Sequence, residues 1–339
     1  MKSRTLSQLF VALTCAVAFL FVLGGTAFAG GAREPVDDGV FRIAMLLPGS
    51  IDDGGWSQAA HRGLMQLGAE GYGTSFTEGV QVASIDEALR NYAESGYNLV
   101  IGHGFQFGEP ALRVAGSFPD TYFFVSGLSP AGAEIPGNVG FINQKEFEAA
   151  YLSGVLAAME TESGRIGYVG GLEIPSQLAN LAAFTTAVQN TNPNATVNGI
   201  MTGTFGDPAL GQEAAIALIE GGVDIIMHTA DSTGLGVIEA AIEHNIRLIG
   251  YGSDQSSLAP DLMMTSLVPN MTQAIVNQVA LIQSGSFGGL WNAGIGEGII
   301  DIAPIASFVK AETQETVIAL RQQIAAGEFQ VPEIYERID

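Results

Sequence analysis

The sequence predicts an α/β protein of two doubly wound parallel-sheet lobes. Strand-length apolar runs alternate with helix-length amphipathic stretches from Phe41 onward. The series restarts after a long helix over Glu146–Glu160. Of the 339 residues, the 310 that follow position 29 suit two domains of ordinary size better than one.

The first series opens with a buried strand over residues 41–47, followed by helical spacing over 56–67. Further strands are predicted at 98–102, 121–125 and 139–141, with helices at 85–94 and 110–117 between them. After the long helix the pattern begins again with a strand at 165–171 ending in a glycine turn. A helix follows at 176–190, then a strand at 195–201, a helix at 208–220, a strand at 223–227, a helix at 233–244 and strands at 247–250 and 265–267. Alternation of this kind means parallel sheets covered on both faces. A helix at 272–283, a glycine-rich stretch at 285–298 and a final helix at 312–326 close the chain. That tail is too short for a third domain and is expected to cross back and complete both sheets.

The amino terminus sets the compartment. Lys2 and Arg4 precede an apolar run over residues 6–23, which ends in Gly24-Gly25-Thr26-Ala27-Phe28-Ala29. This is the layout of a secretory signal peptide, residues 1–29, cleaved after Ala29. The run could also span a bilayer as a single anchor, but the small residues at Ala27 and Ala29 favour removal. Cys15, the only cysteine, follows Ala12-Leu13-Thr14 in mid-run, which is a poor lipidation box. Residues 30–39 read as a flexible arm. The exported chain would then hold no disulfide, thiol nucleophile or thiolate metal site.

Charge narrows the function. Residues 1–29 hold two of the 13 basic residues and none of the 35 acidic ones, so the exported chain stands at −24. Such a surface repels nucleic acid and anionic lipid, and few cations remain to hold a phosphorylated ligand. Enzyme signatures are scarce: there is no Gly-Lys-Ser/Thr phosphate loop and no Gly-x-Ser-x-Gly turn. His61, His103, His228 and His244 lack metal-ligand spacing. No catalytic residue, metal or cofactor is expected.

Open parallel sheets bind ligands beyond the carboxyl ends of their strands, so the loops after each strand carry the information. The first holds Asp52-Asp53-Gly54-Gly55-Trp56-Ser57, in which Trp56 is either core or a flat ligand surface. The second holds Gly102-His103-Gly104-Phe105, then Glu109-Pro110. Glu109 either reads a ligand or favours its helix N-terminus electrostatically. In Gly203-Thr204-Phe205-Gly206-Asp207-Pro208, Asp207 is a helix N-cap before Pro208, and Phe205 projects toward the other lobe. His228-Thr229-Ala230-Asp231-Ser232-Thr233 and Gly252-Ser253-Asp254-Gln255 follow later strands. Asp231 and Asp254 each either cap a helix or meet a ligand.

Taken together, these runs and Thr265-Ser266-Leu267 resemble the basic membrane protein family of ABC-transporter solute-binding proteins, the purine-nucleoside receptor-like group. The resemblance covers about residues 41–307. It implies a type I periplasmic-binding fold whose lobes are joined by a three-segment hinge. It divides the chain into lobe 1, residues 40–145 plus about 268–297, and lobe 2, residues 146–267 plus about 298–339. It also implies that Trp56 and Phe205, one from each lobe, sandwich a flat base. In nucleoside-binding members an Asp and a Lys serve the ribose; at those positions this sequence has Gly252 and Pro269. The ribose grip therefore looks absent, and the chain is similar to the branch that takes a free base such as adenine.

The expectation is an extracytoplasmic component of an ABC importer, in the periplasm or on the outer face of the cytoplasmic membrane. It would be a monomer that binds a purine base and docks on a membrane permease. The expected ligand contacts are Trp56, Phe205, Asp53, Gly104, Phe105, Glu109, Asp231, Ser232 and Asp254. Alternatives are a nucleoside or other flat heterocycle such as a flavin, a ligand sensor subunit, or an enzyme acting on a base.

Overall fold

A computed structural model describes residues 39–336. The expected signal peptide and all but the last residue of the arm lie outside the described residues. The first series contains β1 (Arg42–Leu46), α1 (Trp56–Ala69), β2 (Gly73–Thr77), α2 (Ile85–Glu94), β3 (Leu99–Gly102), α3 (Gly108–Ala115), β4 (Tyr122–Val125) and β5 (Val139–Gln144). Helix α4 (Glu146–Glu160) leads to β6 (Arg165–Gly170), α5 (Pro175–Thr191), β7 (Thr196–Met201), α6 (Pro208–Glu220) and β8 (Ile225–Thr229). Then come α7 (Asp231–His244), β9 (Arg247–Tyr251), β10 (Met263–Pro269), α8 (Met271–Ser284), β11 (Gly289–Ala293), β12 (Ile300–Ile302) and α9 (Ala311–Ala325).

The strands form two six-stranded sheets, ordered β11-β5-β4-β3-β1-β2 and β12-β10-β9-β8-β6-β7. Within the described sheets the pairings are parallel except β10 with β12. The chain passes from one sheet to the other after β5, after β10 and after β11.

Apolar cores cover both faces of each sheet. In lobe 1, Ile43 and Met45 pack with Leu64, Met271 and Ile275 from α1 and α8, while Ala44 and Leu46 face Leu89 and Val114 from α2 and α3. In lobe 2, Tyr168 packs with Leu152 and Phe184 from α4 and α5, and Val169 faces Ala215 and Val237 from α6 and α7. Alternate residues of β1 and β6 thus enter opposite cores, so these strands read as unbroken apolar runs.

The sequence reading omits β2, β11 and β12. Strand β2, Gly-Thr-Ser-Phe-Thr, is an edge strand with no fully buried residue. Strand β11 sits at the other edge with residues alternating between half-buried and exposed up to buried Ala293, and β12 is three residues long. Edge strands need only one partner and little apolar side chain, so their signal is weak. No helix of the described residues is long and apolar enough to cross a membrane.

Helix α4 is buried almost all round and lies against α5. Gly154 makes this approach possible, since a methyl group there would stand 2.5 Å from the Phe184 carbonyl oxygen and 2.8 Å from Ala187 Cβ. Gly154→Ala is expected to lower stability by about 1–2 kcal/mol, overpacking outweighing a helix-propensity gain of about 1 kcal/mol. Urea unfolding of the two proteins checks this; an unchanged or raised midpoint would refute it.

Candidate functional site

Strand order fixes where a ligand can sit. Each sheet reverses its winding between two strands, β1 and β3 in the first and β6 and β8 in the second. At such switch points the following loops diverge and leave a crevice. The loops after β1 and β3 carry Trp56 and His103; those after β6 and β8 carry Gly171 and Asp231.

The turn before α1 is held by Asp53. Its carboxylate accepts the amides of Gly55 (2.9 Å), Ser57 (2.8 Å) and Gln58 (3.1 Å). These are among the amides that a helix start leaves without partners. Asp53 thereby orients Trp56, the first residue of α1. The Trp56 indole stacks on the His103 imidazole, with centroids 4.2 Å apart and planes 18° from parallel.

His103 is fully buried, and desolvation pushes its pKa down to about 3, against a hydrogen bond to the Trp56 backbone that favours the proton. It is therefore neutral. Its Nε2 lies 3.0 Å from the Trp56 carbonyl oxygen, which can only accept, so Nε2 carries the hydrogen. Nδ1 is then a bare acceptor, and it has no hydrogen-bond partner among the described residues.

Lobe 2 grips this turn directly. Asp231 Oδ1 accepts the Trp56 amide at 3.2 Å, Ser232 Oγ donates to the Asp53 carbonyl at 3.4 Å, and Ser253 Oγ donates to the Gly54 carbonyl at 3.2 Å. Backbones meet here: a methyl group on Gly252 would stand 2.6 Å from Gly55 Cα, and φ there is +82°. Asp231 itself has φ +46°, a conformation non-glycine residues adopt at a cost, and such strain gathers at functional sites. Desolvation, and then the Asp53 carboxylate, push the Asp231 carboxyl well above the usual range.

Phe205 lies in the turn between β7 and α6, its ring directly over Gly171, where a methyl group would overlap it. The turn is pinned by Thr233, whose amide donates to the Phe205 carbonyl (3.2 Å) and whose hydroxyl accepts the Asp207 amide (2.9 Å). Asp207 caps α6, accepting from the Ala209 amide at 3.0 Å. Trp56 follows β1 at one switch point, Phe205 follows β7 with its ring against Gly171 at the other, and no ring contact joins the two.

The remaining expected contacts divide. Gly104, with φ +140°, turns the chain out of β3. Phe105 rests its backbone on Gly127 with its side chain about half exposed, and Glu109 faces solvent 4.0 Å from Arg113. Glu109 lies in the first turn of α3, where its charge favours the helix N-terminus. Asp254 is exposed and accepts the Ser256 amide. The run from His228 is not wholly a loop: β8 continues through Thr229. The His228 ring is buried against Gly234 in α7, with Nε2 2.9 Å from Gln255 Oε1.

Sequence reasoning passes over the polar floor of lobe 2. Glu146, at the first crossing between the sheets, accepts Tyr251 Oη–H (3.0 Å) and Asn180 Nδ2–H (2.9 Å). Desolvation raises its carboxyl pKa against both bonds. Tyr168, Thr229 and Gln177 continue this floor. The only sequence signal was an acidic residue opening a helix, which is what an ordinary solvated helix start also shows. Beside the clasp lies a cavity of about 200 Å³, lined by Arg62, Gly252, Ser253, Asp254, Pro269 and Asn270 among others. No group of three or more His, Cys, Asp or Glu side chains among the described residues is placed to hold a metal.

Two parallel-sheet lobes, joined by three crossings and clasped beside their switch-point loops, make a fold that solute-binding proteins adopt. The chain belongs to the family described as ABC transporter substrate-binding protein PnrA-like, matched over residues 40–335. It is 28% identical to a purine-binding protein of Brucella abortus (strain 2308), over 91% of this chain and 85% of that protein. It is 25% identical to basic membrane protein A2 of Borrelia garinii subsp. bavariensis, over 90% and 93% of the two chains. Among solved structures it is similar to an ABC transporter solute-binding protein from Conexibacter woesei, with TM-score 0.74, 27% identity, and coverage of 88% of this chain and all of that one. The family is one of solute-binding proteins and not of enzymes, and membership implies a small-molecule ligand and a membrane permease partner.

Gly252→Ala should block the backbone approach at Gly55 and hold the lobes apart. Small-angle scattering is expected to give a larger radius of gyration than wild type; an identical profile would refute the clasp. His103→Phe keeps a ring against Trp56 but takes no proton. The unfolded chain protonates His103 below about pH 6.5 while the native ring refuses the proton, so wild-type stability falls as pH drops toward 3. The wild type should lose stability more steeply than the variant, by up to about 1.4 kcal/mol per pH unit. Parallel curves in urea unfolding between about pH 6.5 and 4.5 would rule this out.

Proposed function

We propose that this chain is the exported, monomeric binding component of an importer for a purine base, with adenine as the type ligand. The base stacks on the free face of Trp56, and closure of the lobes brings Phe205 onto its other side. Asp231 and Ser232 meet its polar edge, while Asp53 and Gly104 shape the loops around it. The observation that carries this reading is the Trp56 indole, stacked on buried His103 and held at the interlobe clasp. A large flat surface fixed on one side and set at a switch point suits a flat aromatic ligand. The similarity to a protein named for purine binding points the same way.

A free base is favoured over a nucleoside by the clasp. Position 252, which carries a ribose-binding Asp in nucleoside-binding members, is occupied by a glycine whose Cβ position abuts Gly55. A second reading, a nucleoside, draws on the cavity of about 200 Å³ beside the clasp, whose Ser253, Asp254 and Asn270 side chains could meet sugar hydroxyls.

Denaturing the purified protein and identifying the released small molecule by mass spectrometry separates the two, and calorimetric titration with bases and nucleosides ranks them. Trp56→Ala is expected to weaken base binding at least tenfold, about 1.4 kcal/mol or more. Unchanged affinity in the folded variant would sink the stacking model.

A further inference from the structure

We propose that residues 328–336 form a strap across the hinge, a fourth link between the lobes that holds them in the clasped arrangement. The inference concerns the chain itself and stands whatever ligand the cleft takes.

Helix α9 lies on lobe 2, where Val317 and Ile324 join the core around α4. The chain then turns at Gly327, φ +72°, and keeps to the same core. Phe329 rests its ring on Tyr151 of α4, with centroids 5.4 Å apart, and Val331 is 8% exposed within the cluster. Two residues further on, the chain is bound to lobe 1. Glu333 Oε1 accepts Asn143 Nδ2–H of β5 at 3.0 Å, and the same amide group donates to Asn292 Oδ1 of β11 at 3.0 Å. Tyr335 Oη–H donates to the same carboxylate. Residues 330–336 make no backbone hydrogen bond among the described residues, so these side chains are what hold them.

The lobe 1 anchor sits at the hinge. Asn143 and Asn292 stand just ahead of the first and third crossings between the sheets. Those two crossings are bonded to each other: the Lys145 amide donates to the Ala293 carbonyl at 3.0 Å, and the Ile295 amide donates to the Glu148 carboxylate at 2.8 Å. They pivot as a pair, and the strap spans that pivot with apolar contacts on one side and Glu333 on the other.

The strap has little slack. Val331 and Glu333 are two residues apart, about 7 Å of extended backbone. Pro332 between them fixes its own φ and holds Val331 extended. A rotation that carries Asn143 away from α4 must give up one end. The Glu333 end yields first, because Glu333 is exposed and held through one side chain, whereas Val331 would have to leave an apolar core. The Glu333–Asn143 bond and the interlobe clasp are made in the same arrangement, and a contact made in one of two states shifts the balance toward it.

Hydrogen exchange of the full chain, resolved by residue, tests this without any ligand. The Trp56 amide donates to Asp231 across the lobes, so its exchange reads opening of the clasp from a loop outside the strap. In Glu333→Ala it is expected to exchange faster by about threefold or more, the worth of one hydrogen bond to a carboxylate, while the slowest core amides of β3 and β8 keep their rates. Glu333→Gln keeps an acceptor for Asn143 and should stay within about twofold of wild type. Unchanged or slower Trp56 exchange in Glu333→Ala overturns the strap. An equal acceleration of the core amides also overturns it, since that reports lost global stability. Glu333→Gln exchanging as fast as Glu333→Ala overturns the hydrogen-bonded anchor. Asn143→Ala breaks the same link from the lobe 1 side and is read by the same two rates, which decides the matter even where Glu333→Ala does not fold.

Discussion

The contact between the Asp53–Trp56 turn and lobe 2 is the point on which the rest depends. It is a backbone-to-backbone approach, possible only because Gly55 and Gly252 carry no side chains. Three hydrogen bonds tie the turn to Asp231, Ser232 and Ser253. Each is worth about 1 kcal/mol net in such a setting. That is enough to define a closed arrangement and little enough for a ligand to tip the balance between open and closed forms.

Charge is distributed to match. The chain carries 13 basic residues against 35 acidic ones, and several of the basic ones are committed to structure. Arg247 pairs with buried Glu160 at 3.1 Å, tying β9 to α4, while Arg321 pairs with Asp301 and Arg113 with Asp86. Asp53 and Asp231 stand at the interlobe clasp instead, and Glu146 is buried at the first crossing between the sheets. Asp53 spends its lone pairs on the α1 amides, whereas Asp231 and Glu146 are held at the cost of desolvation. Strain at Asp231 and desolvation at Glu146 fall where the lobes meet, which is where departures from local preference tend to serve function.

Much of the architecture was legible. Helices α4 and α6 have the bounds that their apolar periodicity predicts, and the central strands β1, β3, β6 and β8 stand out as apolar runs because both their faces are buried. The edge strands β2, β11 and β12 were not, because one-sided pairing imposes little on their composition. The loops bearing Trp56, Phe205 and Asp231 could be marked from glycine turns after strands. Which atoms face the cleft could not: Asp53 turns inward to cap a helix, and Glu109 turns outward to solvent.

The sequence alone determined the order of strands and helices, the restart that makes two lobes, and the loops that bear aromatic and acidic side chains, since these follow from local periodicity and turn chemistry. Only the tertiary structure decided that His103 stacks beneath Trp56, that Glu146 is a buried carboxyl and not a solvated helix start, and that Gly252 meets Gly55. Each of these joins residues from separate strands or separate lobes, 47 positions apart for Trp56 and His103, and burial at such distances belongs to the packed whole and not to the local run of residues.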